Sequence, residues 1–163
     1  MPVTDWQEWL RYYGPAAVLY ARQLTATAED AEDAVHDGFV RFWPRRGNAR
    51  DMAALFFTCV RSSALDGRRK DKRRRRREER AGGTMPWFED AGSTGLARNE
   101  VVERALEQLP VEQREVVVLK IWGGLTFGQI AEGIGEGANT VAGRYRYGME
   151  KLAGILRPEV MHE

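Results

Sequence analysis

An all-α fold is predicted by three features of the sequence. Proline is sparse, with six in 163 residues. Apolar side chains recur at three- and four-residue intervals in nearly every segment, the period that gives a helix one buried face. The C-terminal third carries two such segments joined at a single glycine, the pattern of a helix-turn-helix. The length admits one domain or two small ones. A composition of 43% hydrophobic and 30% charged residues is that of a globular chain, not a disordered one.

The elements follow in order. Trp6, Trp9, Leu10 and Tyr13 keep the i, i+3, i+4, i+7 spacing of a first helix. Pro15 is expected to break it or to open a new first turn, with Ala17 to Leu24 continuing as a short second helix. Thr27 is the N-cap of a third, because its hydroxyl can accept from a free backbone N–H while Glu29 and Asp30 face the positive end of the helix dipole. That helix shows Ala31, Ala34, Val35, Phe39 and Phe42 on one side and ends at Trp43-Pro44. Met52, Leu55, Phe56, Cys59, Val60 and Ser63 line the next, which runs through Asp66 into a basic block. Gly82, Gly83, Pro86, Gly92, Ser93 and Gly95 break all periodicity. A linker is therefore expected over 81–96, between a domain at 1–80 and a second at 97–158. Helical spacing returns at Val101, Val102, Ala105, Leu106 and Leu109. Pro110 ends that helix and opens another through Val116, Val117, Leu119, Lys120 and Trp122, which Gly123-Gly124 stops.

The helix-turn-helix follows. Ile130, Ala131 and Ile134 share one face, and Ala131 stands where a second helix crosses too closely for a larger side chain. Gly135 supplies left-handed backbone for the turn, and Val141 plugs the second helix onto the first. An ordinary helical hairpin shares part of this pattern. Gly137 or its neighbours cap the second helix, whose core side is Val141, Tyr145, Gly148, Leu152 and Ile155. Its first turns present Asn139, Thr140, Ala142, Gly143, Arg144 and Arg146 for base edges and phosphates of a major groove. Arg144 has a second reading, a surface pair with Glu132 or Glu136. Tyr145 and Trp122 are assigned to the core.

Several function classes drop out. No apolar run approaches the roughly 18 residues of a membrane span, and the first residues lack the basic and apolar regions of a signal peptide. Cys59, the one cysteine, reads as a small buried hydrophobe, so the expected compartment is the cytoplasm. His36 and His162 are the only histidines, too few for a Cys/His metal cluster, and the acidic spacings call for no metal. There is no Gly-rich phosphate loop, nucleophile motif or identifiable acid pair, so neither catalysis nor a cofactor is expected. The net charge of +1 hides a segregation: ten of the 25 basic residues lie between Arg68 and Arg80. Glu29, Asp30, Glu32, Asp33 and Asp37 oppose them. One basic and one acidic block imply two kinds of partner, although each block taken alone also reads as a solvated face.

Four motifs stand in a telling order. They are Asp30-Ala31-Glu32-Asp33-Ala34-Val35-His36-Asp37-Gly38-Phe39-Val40-Arg41-Phe42-Trp43; Arg61-Ser62-Ser63-Ala64-Leu65-Asp66-Gly67-Arg68-Arg69; Leu109-Pro110 with Gln113-Arg114; and Leu125-Thr126 to Ile130-Ala131 with Thr140-Val141 to Arg144. Together, over roughly residues 10–155, they resemble bacterial sigma factors of the small, two-domain extracytoplasmic-function class. The resemblance implies an N-terminal helical bundle (region 2) and a C-terminal four-helix domain bearing the helix-turn-helix (region 4). It implies core RNA polymerase as a partner, through its β′ coiled coil and β flap, together with promoter DNA and an anti-sigma factor. Asp30, Asp33, His36, Asp37 and Val40 would dock on polymerase. Arg61, Ser62, Asp66, Arg68, Arg69 and Lys70 would meet the −10 element, with Arg73 to Arg77 adding sequence-blind attraction. Asn139, Thr140, Ala142, Gly143, Arg144 and Arg146 would read the −35 element.

The sequence departs from the family at a few positions. Ser62 stands where relatives often carry asparagine, and offers no amide to a base edge. Leu55 replaces a frequent tryptophan. Ala142-Gly143 replace the commoner Lys-Ser pair, and Tyr147-Gly148 replace Arg-Ala. The two glycines cost roughly 1 kcal/mol each relative to alanine. They permit close backbone approach while lowering the phosphate-binding charge, so weak −35 contacts are expected. Two other functions stay open at this point: a helix-turn-helix regulator acting without polymerase, and a sigma-like interaction protein without promoter activity.

Overall fold

A computed structural model describes residues 5–69 and 100–160, apart from the side chains of 68, 69 and 158–160. The described residues hold helices and no strand, as the periodicity predicts. Helix α1 spans Trp6–Leu24, with Asp5 accepting from the Gln7 N–H at 2.9 Å as its cap. It runs straight through Pro15, so the break expected there is absent. Proline deletes one hydrogen bond and crowds the preceding turn, at a cost of about 3 kcal/mol. Here buried side chains lock the helix on both sides of it, Trp9 and Leu10 before and Ala16, Ala17, Leu19 and Tyr20 after. Tertiary packing outweighs the local breaker.

Helix α2 (Ala28–Phe42) starts at Thr27, whose hydroxyl accepts from the Asp30 N–H at 3.1 Å. A short 3-10 segment, Trp43–Asn48, with Pro44 near its start, leads to α3 (Met52–Arg69). Asp51 caps α3 by accepting from the Ala54 N–H at 3.0 Å. Among the described residues, helices α2 and α3 make the most extensive pair. Gly38 lets them meet, since a Cβ there would lie 2.7 Å from the Val60 Cα. The interior of this half is built from rings: Trp9 lies 5.0 Å from Phe42, 5.8 Å from Phe56 and 4.4 Å from Tyr13, centroid to centroid.

The second half comprises α4 (Glu100–Glu107), α5 (Val111–Ile121), α6 (Phe127–Ile134) and α7 (Ala138–Val160). Pro110 stands at the start of α5, where its missing N–H costs nothing. Gly124, at φ 68°, takes the left-handed turn after α5. Leu106, Val116, Val117, Val118, Ile130 and Val141 are fully buried. The halves are not separate bodies. Helix α1 packs on α5 and α3 on α6, and the buried apolar residues form one contiguous cluster. The expected linker, 81–96, and the basic stretch from Lys70 to Arg80 lie outside the described residues.

Candidate nucleic-acid interface

The helix-turn-helix is built by local chemistry at each corner. Thr126 accepts from the Gln129 N–H at 3.1 Å, and the Gln129 side chain accepts from the Thr126 N–H at 2.7 Å, a capping box that starts α6. Gly135 takes φ 74°, and the N–H groups of Gly135 and Glu136 both reach the Ala131 carbonyl at 3.0 Å. Ala131 and Val141 are buried as expected. The Gly137 carbonyl accepts from the Val141 N–H at 3.1 Å, so Gly137 sits where α7 begins.

Helix α7 is sharply two-sided. Val141, Gly148 and Leu152 are buried, and Tyr145 packs on Phe127 with centroids 5.3 Å apart. On the other side Asn139, Thr140 and Arg146 are exposed, with Ala142, Gly143 and Arg144 half-buried beside them. Arg144 reaches Glu136 at 3.5 Å, the pairing foreseen as its second reading. The two glycines play different parts. A Cβ on Gly148 would lie 2.9 Å from Val117 Cγ2, so its close approach is to α5 inside the protein and not to DNA. A Cβ on Gly143 would meet nothing within 4 Å. Tyr147, also exposed, carries the Arg146 guanidinium 5.0 Å from its ring centre.

On α3 the expected −10 residues divide. Ser62 and Asp66 are exposed, and Asp66 pairs with Arg41 at 3.1 Å. Arg61 is not on that face. A helix turns about 100° per residue, and Arg61 points toward the second half, where its Nε donates to Glu115. The Tyr20 hydroxyl donates to the same Glu115 oxygen at 2.5 Å. Glu115 is 4% exposed and Tyr20 wholly buried. Burial, then the charge of Glu115, push the Tyr20 phenol well above its ordinary range. Burial acts to lower the Arg61 guanidinium, but the hydrogen bond and charge of Glu115 outweigh it and hold the group up. Arg68 and Arg69 belong to the last turn of α3, with their side chains outside the described residues, as is all of Lys70.

On α2, Val40 is 56% exposed, whereas Asp30, Asp33, His36 and Asp37 are half-buried along the flank. Burial, with the charges of Asp33 and Glu29 adding to it, raises the Glu32 carboxyl. Two features escaped the sequence reading. One is a basic rim after α2: Arg46 lies over the Trp43 ring at 3.8 Å and donates to its carbonyl at 2.6 Å, with Arg41, Arg45 and Arg50 exposed around it. Four arginines between residues 41 and 50 were its signal. The other is Glu115, whose spacing from Leu119 and Trp122 marks a charge on an inward helical face.

Comparison with known proteins follows these two halves. A family model described as Sigma-70 region 2 matches residues 9–74, and one described as Sigma-70, region 4 matches residues 99–152. The chain is similar to the ECF RNA polymerase sigma factor SigL of Mycobacterium tuberculosis, 32% identical over 145 residues, which cover 84% of this chain and 81% of that protein. It is similar to SigM of the same species, 32% identical over 144 residues, 83% of this chain and 69% of the relative. In fold it resembles the sigma factor RpoE solved in complex with the anti-sigma factor NepR from Bartonella quintana. That match has a TM-score of 0.68 at 23% identity, covering 95% of this chain and 98% of the other.

Proposed function

This chain belongs to the extracytoplasmic-function RNA polymerase sigma factors, and on that premise we propose how its two halves divide the work of finding a promoter. As a member of a family of non-enzymatic transcription factors, it binds core polymerase and directs it to promoter DNA. In the proposed division, residues 1–80 form the polymerase-docking and −10 domain, 81–96 a linker, and 97–158 the −35 domain. Val40 and the flank of Asp30, Asp33, His36 and Asp37 meet the β′ coiled coil, and the second domain meets the β flap. Ser62, Asp66, Arg68, Arg69 and Lys70, with Arg61, serve the −10 element. Asn139, Thr140, Ala142, Gly143, Arg144 and Arg146 serve the −35 element. An anti-sigma factor, the kind of partner bound to the structural neighbour, completes the set.

The observation that carries this reading is the two-sidedness of α7. Its inward stripe is committed to α5 and α6, which leaves the opposite face of its first turns free for a groove. With Arg144 paired to Glu136 and Gly143 bare, few charges remain for phosphates, so the −35 half depends on polymerase to stay on DNA. Reconstituted transcription tests the reading. Core polymerase with this protein starts at defined sites on fragments of its own genome, and a failure to start specifically on any of them sinks it. Arg144→Ala reduces starts at promoters with a −35 element more than at those without one.

A further inference from the structure

The two arginines away from the buried stripe of α7 are held differently. Arg146 lies over the Tyr147 ring, 5.0 Å from its centre, a contact that leaves its charge uncancelled. Arg144 stands 3.5 Å from the Glu136 carboxylate. Side chains on a helix lean toward its N-terminus, so Arg144 is drawn back over the first turns of α7 to the turn that precedes it. Glu136 is fixed there by its backbone, since its N–H reaches the Ala131 carbonyl at 3.0 Å beside the left-handed Gly135. At 3.5 Å the pair is looser than a hydrogen bond, and both side chains are partly open to solvent, Glu136 more than Arg144. Such a pair shifts an equilibrium by up to about fivefold. That is enough to occupy the guanidinium in the free protein, yet little enough for DNA to take it.

We propose that Glu136 competes with promoter DNA for Arg144 and so sets how sharply the −35 element is read. The proposal rests on the assignment of α7 to that element. An arginine on a guanine edge donates to N7 and O6 at once, which discriminates against the other bases. In this chain the same guanidinium has a partner to fall back on. Where the guanine is present, Glu136 must be displaced, and part of the gain is lost. Where it is absent, Arg144 stays with Glu136, and the loss is cushioned. Both effects shrink the difference between a matched and a mismatched −35 element. Repulsion between the Glu136 carboxylate and the DNA backbone acts differently, because phosphates carry no sequence information. It lowers affinity and leaves discrimination untouched. Glu136 therefore makes this half of the protein tolerant of −35 variation, and it does so through Arg144 alone.

The test uses holoenzyme, core polymerase with the full chain, and a labelled duplex. The duplex carries the −35 element of a promoter at which that holoenzyme starts and ends upstream of the −10 element. Equilibrium binding is followed by fluorescence anisotropy, for this duplex and for copies with each −35 G·C pair in turn changed to A·T. Glu136→Gln keeps the backbone N–H and removes the charge. It is expected to bind the matched duplex about two- to fivefold more tightly and to enlarge the loss at one G·C pair by a similar factor. Arg144→Ala should abolish discrimination at that pair, and adding Glu136→Gln to it should restore none. Glu132→Gln removes an equal charge from an exposed position on α6 and should leave discrimination unchanged. Equal sharpening by Glu132→Gln, sharpening that persists without Arg144, or unaltered discrimination in Glu136→Gln overturns the competition. If Arg144→Ala binds every duplex as the wild type does, the −35 reading of α7 fails, and the proposal with it. If Arg144→Ala weakens binding while Glu136→Gln leaves discrimination alone, only the role of Glu136 fails.

Discussion

The two halves reach similar helical architectures by different means. In the first, long helices of 19, 15 and 18 residues close over a cluster of Trp9, Tyr13, Phe39, Phe42, Trp43, Phe56 and Phe57. In the second, α4, α5 and α6 have 8, 11 and 8 residues and pack through Val, Leu and Ile. Helices shorter than about 12 residues are marginal alone. What defines them here is the chemistry of their ends: Pro110, the Thr126–Gln129 box, Gly124 and Gly135. One half is shaped by side-chain volume, the other by termini. That difference suits a platform in the first case and, in the second, a reading helix whose angle is set by a turn.

The largest effect should fall where a ring is lost. Phe56→Ala is expected to cost about 3–5 kcal/mol, read by urea denaturation through the fluorescence of Trp9 and Trp43. Ile130→Ala in the second half, followed through Trp122, should cost no more than that. A larger loss at Ile130 would break the contrast. Next come the two close crossings. Gly38→Ala drives a methyl into the backbone of Val60 and should cost about 1–3 kcal/mol. Gly148→Ala meets side chains and no backbone: Val117 Cγ2 at 2.9 Å, which can turn, and Gln113 and Leu109 at an ordinary 3.4 Å. The alanine also favours the helix by up to about 1 kcal/mol, so the net change should be small. Equal losses at the two sites would show that both crossings are equally rigid. Thr126→Ala, which removes one arm of the capping box, should cost about 1 kcal/mol, visible as a lower urea midpoint. The smallest change has the opposite sign. Gly143→Ala, on open helix surface, should stabilise by about 0.5–1 kcal/mol, read as a higher urea midpoint.

What the sequence made legible was whatever chemistry is local. Thr27, Gly135 and the Ala131–Val141 pair were readable because each requirement is met within a turn or two. The Arg144–Glu136 pair was foreseen as an alternative for the same reason, spanning only the turn of the helix pair. Pro15 was misread because its local cost is overridden by buried neighbours from other helices. Arg61 was grouped with Ser62 and Asp66 by motif, but its orientation depends on a carboxylate 54 residues away, which no spacing rule reaches. The basic rim around Trp43 was visible as composition. Its ring-stacked geometry required the 3-10 turn to be known.

The same 54 residues impose an order in time. A ribosome adds about 5–20 residues per second, so Glu115 is synthesised roughly 3–11 seconds after Arg61. Helical bundles dominated by local contacts fold in microseconds to milliseconds. The aromatic half therefore has thousands of folding times in which to gather before its counter-charge exists. On that side every copy of the protein begins life without a partner for its arginine.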